Sequence, residues 1–193
     1  TLPDGTIDGR VSADDNDVRA TGYNRPEDIE LQTLADGTQL LYFNTTDSDV
    51  NTTGGDGTSR TYNINLSTNV VQLFASPQTI DLATNLPVGG AFRNADNLAI
   101  DAEGNIYIVE DRGGGSDDDI WFAVDLNKDG DLLDAGEGLA RWVSNGTAGS
   151  EFTGLYFDFR NPNRAFVNIQ HPSSEVDRLI EISADPHSQQ GNK

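Results

Sequence analysis

The sequence contains no cysteine. Neither a disulfide framework nor a thiolate metal site can therefore form within these residues. Long hydrophobic runs are also absent, and none approaches the roughly 18 residues that span a bilayer. The first residues, TLPDGTIDGR, include no apolar segment of a signal peptide. We expect no membrane insertion, and if the protein is exported we expect its signal to have been removed.

Basic residues are few, with 12 Lys and Arg against 32 Asp and Glu, which gives a formal charge of -20. Such a surface repels nucleic acids and anionic lipid heads, so we expect no nucleic-acid partner. Divalent cations are more natural counterions, because Ca²⁺ takes about six to eight oxygen ligands. The alternative is an acidic surface that serves solubility or a saline environment.

Histidine is nearly absent as well. His171 and His187 are the two histidines of the chain, which excludes a zinc site built from several histidines. The sequence has no GxSxG nucleophile motif and no phosphate-binding Walker loop. Carboxylates are the residues left to carry chemistry.

The chain reads as all-β, since helical periodicity is hard to find and short β-branched runs alternate with turn signals. Its length suits one domain. Asp36-Gly37 and Glu103-Gly104 predict tight hairpin turns. Strands are predicted at 28–34, 38–45, 59–66, 70–75, 97–102, 105–110, 119–126, 139–144, 153–159, 164–170 and 178–183.

Three segments repeat one plan, an acidic residue, a strand, a turn, a second strand and a polar cluster: RPEDIELQTLADGTQLLYFNTTD, NADNLAIDAEGNIYIVEDRG and GSEFTGLYFDFRNPNRAFVNIQHP. A further strand follows each. Repeats of this size with about four strands predict β-propeller blades. We expect blade-like units near 25–75, 94–143 and 149–183, or about two and a half to three blades of a larger propeller, followed by a polar tail at 184–193. The alternative is a β-sandwich with similar hairpins.

In a propeller, an acid before each innermost strand would point to a common axis. Glu27, Asp96 and Glu151 hold these equivalent places, and polar pairs follow the second strands: Thr46 with Asp47, Glu110 with Asp111, and Gln170 with His171. Convergent carboxylates repel one another unless a cation compensates, which predicts a metal site on the axis. The alternative is that they cap turns and strand ends. Arg25, Arg93 or Arg112 could hold an anionic substrate.

A second candidate is the stretch DLNKDGDLLDAGEG, which resembles a calcium loop. Asp125, Asn127 and Asp129 occupy its first, third and fifth positions, and Gly130 supplies the turn at the sixth. The twelfth position is glycine, so Asp134 or Glu137 would have to complete the ligands. The predicted metal ligands here are Asp125, Asn127, Asp129, Asp131 and Asp134, and the alternative is an unliganded acidic hairpin. A third acidic run, GGGSDDDI from Gly113, is expected to be a solvated loop.

The phrases RPEDIE, ADNLAIDAEGNIYIVED and EFTGLYFD followed by NRAFVNIQHPSS resemble the PhoX family of alkaline phosphatases over roughly residues 20 to 182. In that family, propeller blades carry a Glu-x-Thr-Gly strand and a Val-Asn-x-Gln-His-Pro ending. The strand pair around Asp96 is shared with lactonase-type and other calcium propellers. The resemblance implies a secreted or periplasmic enzyme that hydrolyses phosphate monoesters with an iron and calcium cluster, Fe³⁺ and Ca²⁺, bridged by carboxylates.

The resemblance also implies residue roles. Glu27 and Asp96 look like metal-bridging carboxylates, Glu151 matches the acid of the Glu-x-Thr-Gly strand, and His171 with Gln170 would support it. Asp111 is expected to bind metal, and Arg112 and Glu110 to take part in catalysis. The family's iron site uses a cysteine from an earlier blade, which this chain lacks.

Two other functions stay open at this point. One is a non-enzymatic, secreted calcium-binding segment that self-associates or pairs with missing blades through its sheet edges. The other is a lactonase-type hydrolase with a single calcium ion in the propeller channel.

Overall fold

The computed structural model describes residues 21–46, 58–112, 118–174 and 176–184. Asp47, His187 and nearly all of the predicted polar tail lie outside these residues. The described chain is all-β, as predicted, with every predicted strand present to within two residues at either end. The elements are β1 (Pro26–Thr33), β2 (Gln39–Thr45), β3 (Arg60–Asn65), β4 (Val70–Ala75), β5 (Ile80–Asp81), β6 (Leu86–Pro87), a 3₁₀ turn (Gly89–Ala91), β7 (Ala95–Ile100), β8 (Ile106–Glu110), β9 (Asp118–Val124), β10 (Gly138–Asn145), β11 (Glu151–Phe157), β12 (Arg164–Gln170) and β13 (Arg178–Ser183).

The strands form three sheets. In the first sheet, β1 to β4 follow one another as an antiparallel meander, and in the third sheet β11 to β13 do the same. The second sheet contains the meander β7 to β10, extended by the short β5, which runs parallel to β10, and by β6. The three meanders match the three predicted units. The described residues form three sheets and do not close into a ring.

Both predicted hairpin turns are present. Gly37 and Gly104 have φ angles of 87° and 76°, values that side chains with a Cβ rarely adopt. They lie in the turns that join β1 to β2 and β7 to β8. The first hairpins of the first two meanders therefore both have a glycine with positive φ in the turn.

The second sheet is buried on both faces. Ile106 and Ile108 belong to a hydrophobic cluster shared with the first sheet, whereas Tyr107 and Val109 belong to one shared with the third. Successive strand residues point to opposite faces, so an uninterrupted apolar strand such as β8 suits a position between two other sheets. The sequence IYIV thus predicts a central strand.

The outer face of the first sheet is apolar and exposed. Ile29 and Leu31 of β1 lie beside Phe43 and Leu41 of β2 in the strand register. Ile29 and Leu31 are exposed, as are Val71 and Leu73 of the edge strand β4, which the register puts on the same face. Contiguous apolar surface of this kind usually marks an interaction site.

Polar side chains tie the first strands of the three meanders together. Asp28 Oδ2 of β1 accepts a hydrogen bond from the Leu98 amide of β7 at 3.0 Å. The next link uses the equivalent position of β7, where Asn97 Oδ1 accepts from the Gly154 amide at 2.9 Å and from the Thr153 hydroxyl at 3.0 Å. Both links lie beside irregularities in the strand register, where ladder hydrogen bonds are interrupted.

Asn44 strengthens the contact between the first and second sheets. This buried residue of β2 donates to the Asp96 carbonyl at 2.8 Å and accepts from the Thr61 hydroxyl at 2.7 Å. Thr46 donates to the Ala95 carbonyl, and the Ala95 amide donates to Ser59 Oγ. The backbone around Asp96 is therefore fixed from the first sheet.

No helix in the described part of the chain has the length and hydropathy needed to cross a bilayer.

We expect Asn97→Ala to lower the free energy of unfolding by about 1–3 kcal/mol, because it leaves the Gly154 amide and the Thr153 hydroxyl without their partner. Urea denaturation measures the change, and Asn163→Ala at an exposed turn is the control. Equal stability of Asn97→Ala and the parent would show that these bonds do not hold β7 to β11.

Candidate functional site

The predicted repeat has a matching backbone geometry. Two residues before each predicted acid, the chain adopts a positive φ angle: 46° at Arg25, 49° at Asn94 and 73° at Gly149. The carbonyls of Arg25 and Asn94 accept hydrogen bonds from the amides of Thr46 and Asp111, the residues that follow the second strands. At Gly149, a Cβ would lie 2.4 Å from Ser173 Oγ, and the positive φ angle also favours glycine there. The same entry to each first strand puts Glu27, Asp96 and Glu151 in equivalent places.

Three of the predicted metal ligands come together. The carboxyl groups of Asp96 and Glu151 each lie within hydrogen-bonding reach of Asp111. Two carboxylates can share a hydrogen bond when one holds a proton, so such contacts raise the pKa. Burial, the charge of Glu27 and the contact with Asp111 raise the pKa of Asp96 to about 6. The contact with Asp111, with burial, raises the pKa of Glu151 to about 7.

Asp118, at the start of β9, is a fourth carboxylate of this group that the sequence did not single out. It belongs to the acidic run expected to be solvated, yet Asp118 is fully buried and its neighbour Asp119 nearly so. Its Oδ1 accepts from the Arg112 amide, while Oδ2 has no partner. Burial, with the charge of Asp111, raises the pKa of Asp118 to about 6. The expectation of a solvated run was therefore wrong for Asp118 and Asp119; the apolar strand IWFAV, which begins directly after them, was the signal.

Glu27 lies at the edge of the cluster. Its charge acts on Asp96, and its Oε1 lies 3.3 Å from Arg25 Nη2. The acid of the first meander is thus near the other acids, but an arginine already compensates part of its charge.

The predicted supporting residues contact Glu151. Gln170, paired with Glu151 in the strand register, donates from Nε2 to Glu151 Oε1 at 2.6 Å. His171 Nε2 lies 3.4 Å from the same oxygen, although the ring is 74% exposed. The His171 backbone is held by Asp177, which accepts its amide at 3.0 Å. Both side chains can orient Glu151.

Glu110 and Arg112 form a buried ion pair, with Arg112 Nη2 2.8 Å from Glu110 Oε2. Glu110 has no exposed surface, and it also accepts from the Arg93 amide, the Asp119 amide and Trp121 Nε1 at 2.9 to 3.0 Å. Burial raises the pKa of Glu110 to about 7 against these donors, which favour the ionised form. Four donors leave Glu110 fixed in place, which suits a residue that orients Arg112.

Arg112 is held from a second side. Its guanidinium also donates to the Ala91 carbonyl and lies 3.8 Å from Asp119 Oδ2. The side chain is 13% exposed, and its Nε has no hydrogen-bond partner. The Arg112 amide bonds to Asp118, so this cation adjoins the acidic group. We name Asp96, Asp111, Asp118 and Glu151 the carboxylate cluster.

The predicted calcium loop lies elsewhere. Its residues, Asp125, Asn127, Asp129, Asp131 and Asp134, follow the far end of β9, whereas Asp118 begins that strand. Seven strand residues separate the two ends by roughly 20 Å. The two predicted metal sites therefore lie at opposite ends of β9.

The donor chemistry of the cluster fits a hard cation. Carboxylate oxygens are the ligands that Ca²⁺ prefers, and the unpartnered Oδ2 of Asp118 is a buried oxygen still in need of one. Across residues 21–46, 58–112, 118–174 and 176–184, no three acidic or histidine side chains are already gathered around one point. Binding would therefore require side-chain movements within the cluster.

We expect the metal-free protein to lose stability as pH rises from about 4 to about 7. Glu151 and Asp96 have raised pKa values in the fold, so the unfolded chain releases these protons first and native stability falls until the folded groups have ionised. Thermal unfolding in chelator at pH 5 and pH 7.5 measures the loss. Glu151→Gln should reduce it, and a loss of the same size in the variant would show that Glu151 is not responsible.

Comparison with known protein families matches the chain to a family model. The model of the family described as "Alkaline phosphatase PhoX" matches residues 4–173. No curated protein and no solved structure matches the chain.

Proposed function

Because the chain belongs to the PhoX family of alkaline phosphatases, we propose that it forms part of a metal-dependent phosphomonoesterase with its site at the carboxylate cluster. The family match supports the phosphatase chemistry and the dependence on metal. The observation that carries the location is the contact of Asp111 with both Asp96 and Glu151, which concentrates uncompensated acids at the starts of β7 and β11.

We assign Asp96, Asp111, Asp118 and Glu151 as the metal-holding residues, with Glu27 at the edge. Their all-oxygen donor set suits Ca²⁺. The chain lacks the cysteine that the family uses to bind iron. The proposal of Fe³⁺ therefore rests on the family resemblance alone. When bound, such cations gather phosphate oxygens and offset the charge that develops as the ester bond breaks.

The protein's own groups position these acids and the substrate. Gln170 and His171 fix the orientation of Glu151 through contacts at 2.6 and 3.4 Å. Glu110 holds Arg112, and we propose that Arg112 binds a phosphate oxygen, since a guanidinium matches phosphate geometry. In this assignment, Glu110 positions Arg112 and does not transfer a proton, because all its contacts are with donors of the fold.

We further propose that the three meanders are consecutive blades of a β-propeller. Support comes from the contacts of β7 with both β1 and β11 and from the equivalent entries to the three first strands. The apolar outer face around Ile29, Leu31 and Leu73 resembles the faces that the second sheet buries on both sides. We propose that a further blade of the same kind covers it. This face is also what favours the second candidate, a calcium-binding segment that associates through its sheets.

A secreted or periplasmic location and phosphate monoesters as substrates are part of the same proposal. Both rest on the family match. The charge of -20 supports the expected lack of nucleic-acid partners, because like charges repel phosphate backbones.

Glu27→Gln and Glu151→Gln should each lower metal content and hydrolysis of p-nitrophenyl phosphate together, since the amide keeps the shape but loses the charge that binds the cation. We expect the larger loss for Glu151→Gln, because Arg25 already offsets part of the Glu27 charge. Elemental analysis for calcium and iron measures the first effect. Glu103→Gln, at an exposed turn, is the control. Unchanged metal content in both variants would rule out the proposed cluster.

Arg112→Lys should lower kcat/KM by about 10²-fold while metal content stays the same, because lysine keeps the charge but cannot form the guanidinium fork. Arg141→Lys is a matched control, since Arg141 also pairs with Asp119, at 2.8 Å, but is half exposed. Melting temperatures of both variants separate loss of the fold from loss of function. A folded Arg112→Lys variant with full activity would overturn the assignment of Arg112 to phosphate binding.

A further inference from the structure

The loop between β9 and β10, residues 125–137, carries five carboxylates and one lysine. Side-chain oxygens at its first, third and fifth positions are drawn onto the loop backbone. Asp125 Oδ2 accepts from the Gly130 amide, Asn127 Oδ1 from the Asp129 amide, and Asp129 Oδ1 from the Asp131 amide, all at 3.0 to 3.1 Å. The loop is thus folded around Asp125.

Asp125 leaves one oxygen unsatisfied. The residue is 6% exposed, and its Oδ1 is buried without a hydrogen-bond partner. Burial is the largest cause that raises the pKa of Asp125; the amides of Gly130 and Lys128 lower it, and the charges of Glu137 and Asp129 raise it further. A buried carboxylate oxygen without a donor is costly unless a cation or a proton compensates it.

Asn127 marks a place where other oxygens converge. Its Nδ2 donates to Asp129 Oδ2 at 3.0 Å and to Asp134 Oδ2 at 2.8 Å. The Asn127 amide therefore bridges two exposed carboxylates. A cation in its place would attract both carboxylates more strongly than the neutral amide does.

Glu137 has a different task. This buried residue accepts from the amides of Leu126 and Asp134 at 2.9 and 3.1 Å, one with each oxygen. Both oxygens hold the two ends of the loop in shape, so Glu137 is not needed as a ligand.

We propose that the loop 125–137 binds one calcium ion through Asp125 Oδ1 and the carboxylates of Asp129 and Asp134, at a site separate from the carboxylate cluster. Within the described residues these groups do not yet surround one point, so binding draws Asp129 and Asp134 inward and releases the Asn127 amide. Ca²⁺ suits the site better than Mg²⁺, because it accepts flexible oxygen shells, whereas Mg²⁺ demands octahedral geometry and retains its waters.

The site would stabilise the contact between the first and second sheets. Asn63 Nδ2 of β3 donates to the Gly130 carbonyl at 2.5 Å, and Gln72 Nε2 of β4 donates to Asp131 Oδ2 at 2.9 Å. Leu132 is buried in the cluster that these two sheets share. A calcium ion that fixes the loop therefore also fixes the side-chain contacts that join the sheets.

The test compares metal-stripped protein with protein in calcium, by thermal unfolding and by isothermal titration with calcium alone. We expect saturating calcium to raise Tm by roughly 5–10 °C at a hundredfold excess over Kd. Asp129→Asn and Asp134→Asn are exposed substitutions that should keep the fold, lose one bound calcium per chain and lose most of this shift. Asp125→Asn removes a buried charge, so it should not lower Tm in chelator but should abolish the response.

Two controls separate this site from the carboxylate cluster. Glu181→Gln, on exposed β13, should retain both the bound calcium and the shift. Glu151→Gln should retain the calcium of the loop even if activity is lost. The loop proposal is therefore tested independently of the proposed phosphatase. Parent-like stoichiometry and Tm shift in Asp129→Asn and Asp134→Asn would overturn it, as would loss of the whole shift in Glu151→Gln.

Discussion

Hydrogen bonds accepted by the side chains of Asp28 and Asn97 help to hold the first strands of the three meanders side by side, and the Asn97 bonds join β7, which carries Asp96, to β11, which carries Glu151. Backbone ladders tie strands together within a sheet but cannot join one sheet to the next. The two residues supply that link at equivalent places, each directly after a predicted metal ligand. Asp96 and Glu151 consequently project from strands that are fixed relative to each other.

This arrangement places several carboxylates near one another, which is electrostatically unfavourable when they are ionised. Asp96, Asp111, Asp118 and Glu151 lie near one another. Burial first, and neighbouring carboxylates second, raise the pKa values of Asp96 and Asp118, whereas the contact with Asp111 first, and burial second, raise the pKa of Glu151. Arg112 adjoins the group, but Glu110 and the Ala91 carbonyl already occupy its guanidinium. A divalent cation is the simplest compensation, which connects the physical chemistry of the cluster to the metal dependence of the family.

The same logic operates at the other end of β9, on a smaller scale. There a single buried oxygen of Asp125 lacks a partner, and the acids that could share a cation with it lie on a loop that is docked against the first sheet. β9 thus connects the carboxylate cluster, which we propose takes part in catalysis, with the loop 125–137, which we propose stabilises the fold.

Much of the architecture could be predicted from the sequence, because it is written in local patterns. Alternation and β-branched runs placed the strands, Gly37 and Gly104 marked the hairpins, and the repeated acid before each first strand indicated Glu27, Asp96 and Glu151. The family phrases around Glu151 and His171 led to the match with PhoX. These features depend on neighbours in the chain, so one sequence suffices to reveal them.

Tertiary structure alone decided which acids meet. Asp118 resembled a solvated residue because its neighbours in sequence are glycine, serine and aspartate, yet it is buried beside Arg112. Glu110 was predicted from the sequence to take part in catalysis, and the fold surrounds it with donors from four residues. The calcium loop and the axial acids were predicted as two separate candidate sites, and the length of β9 sets the distance between them. In each case the deciding partner lies on another strand or at the far end of one, and the packing of sheets determines its distance.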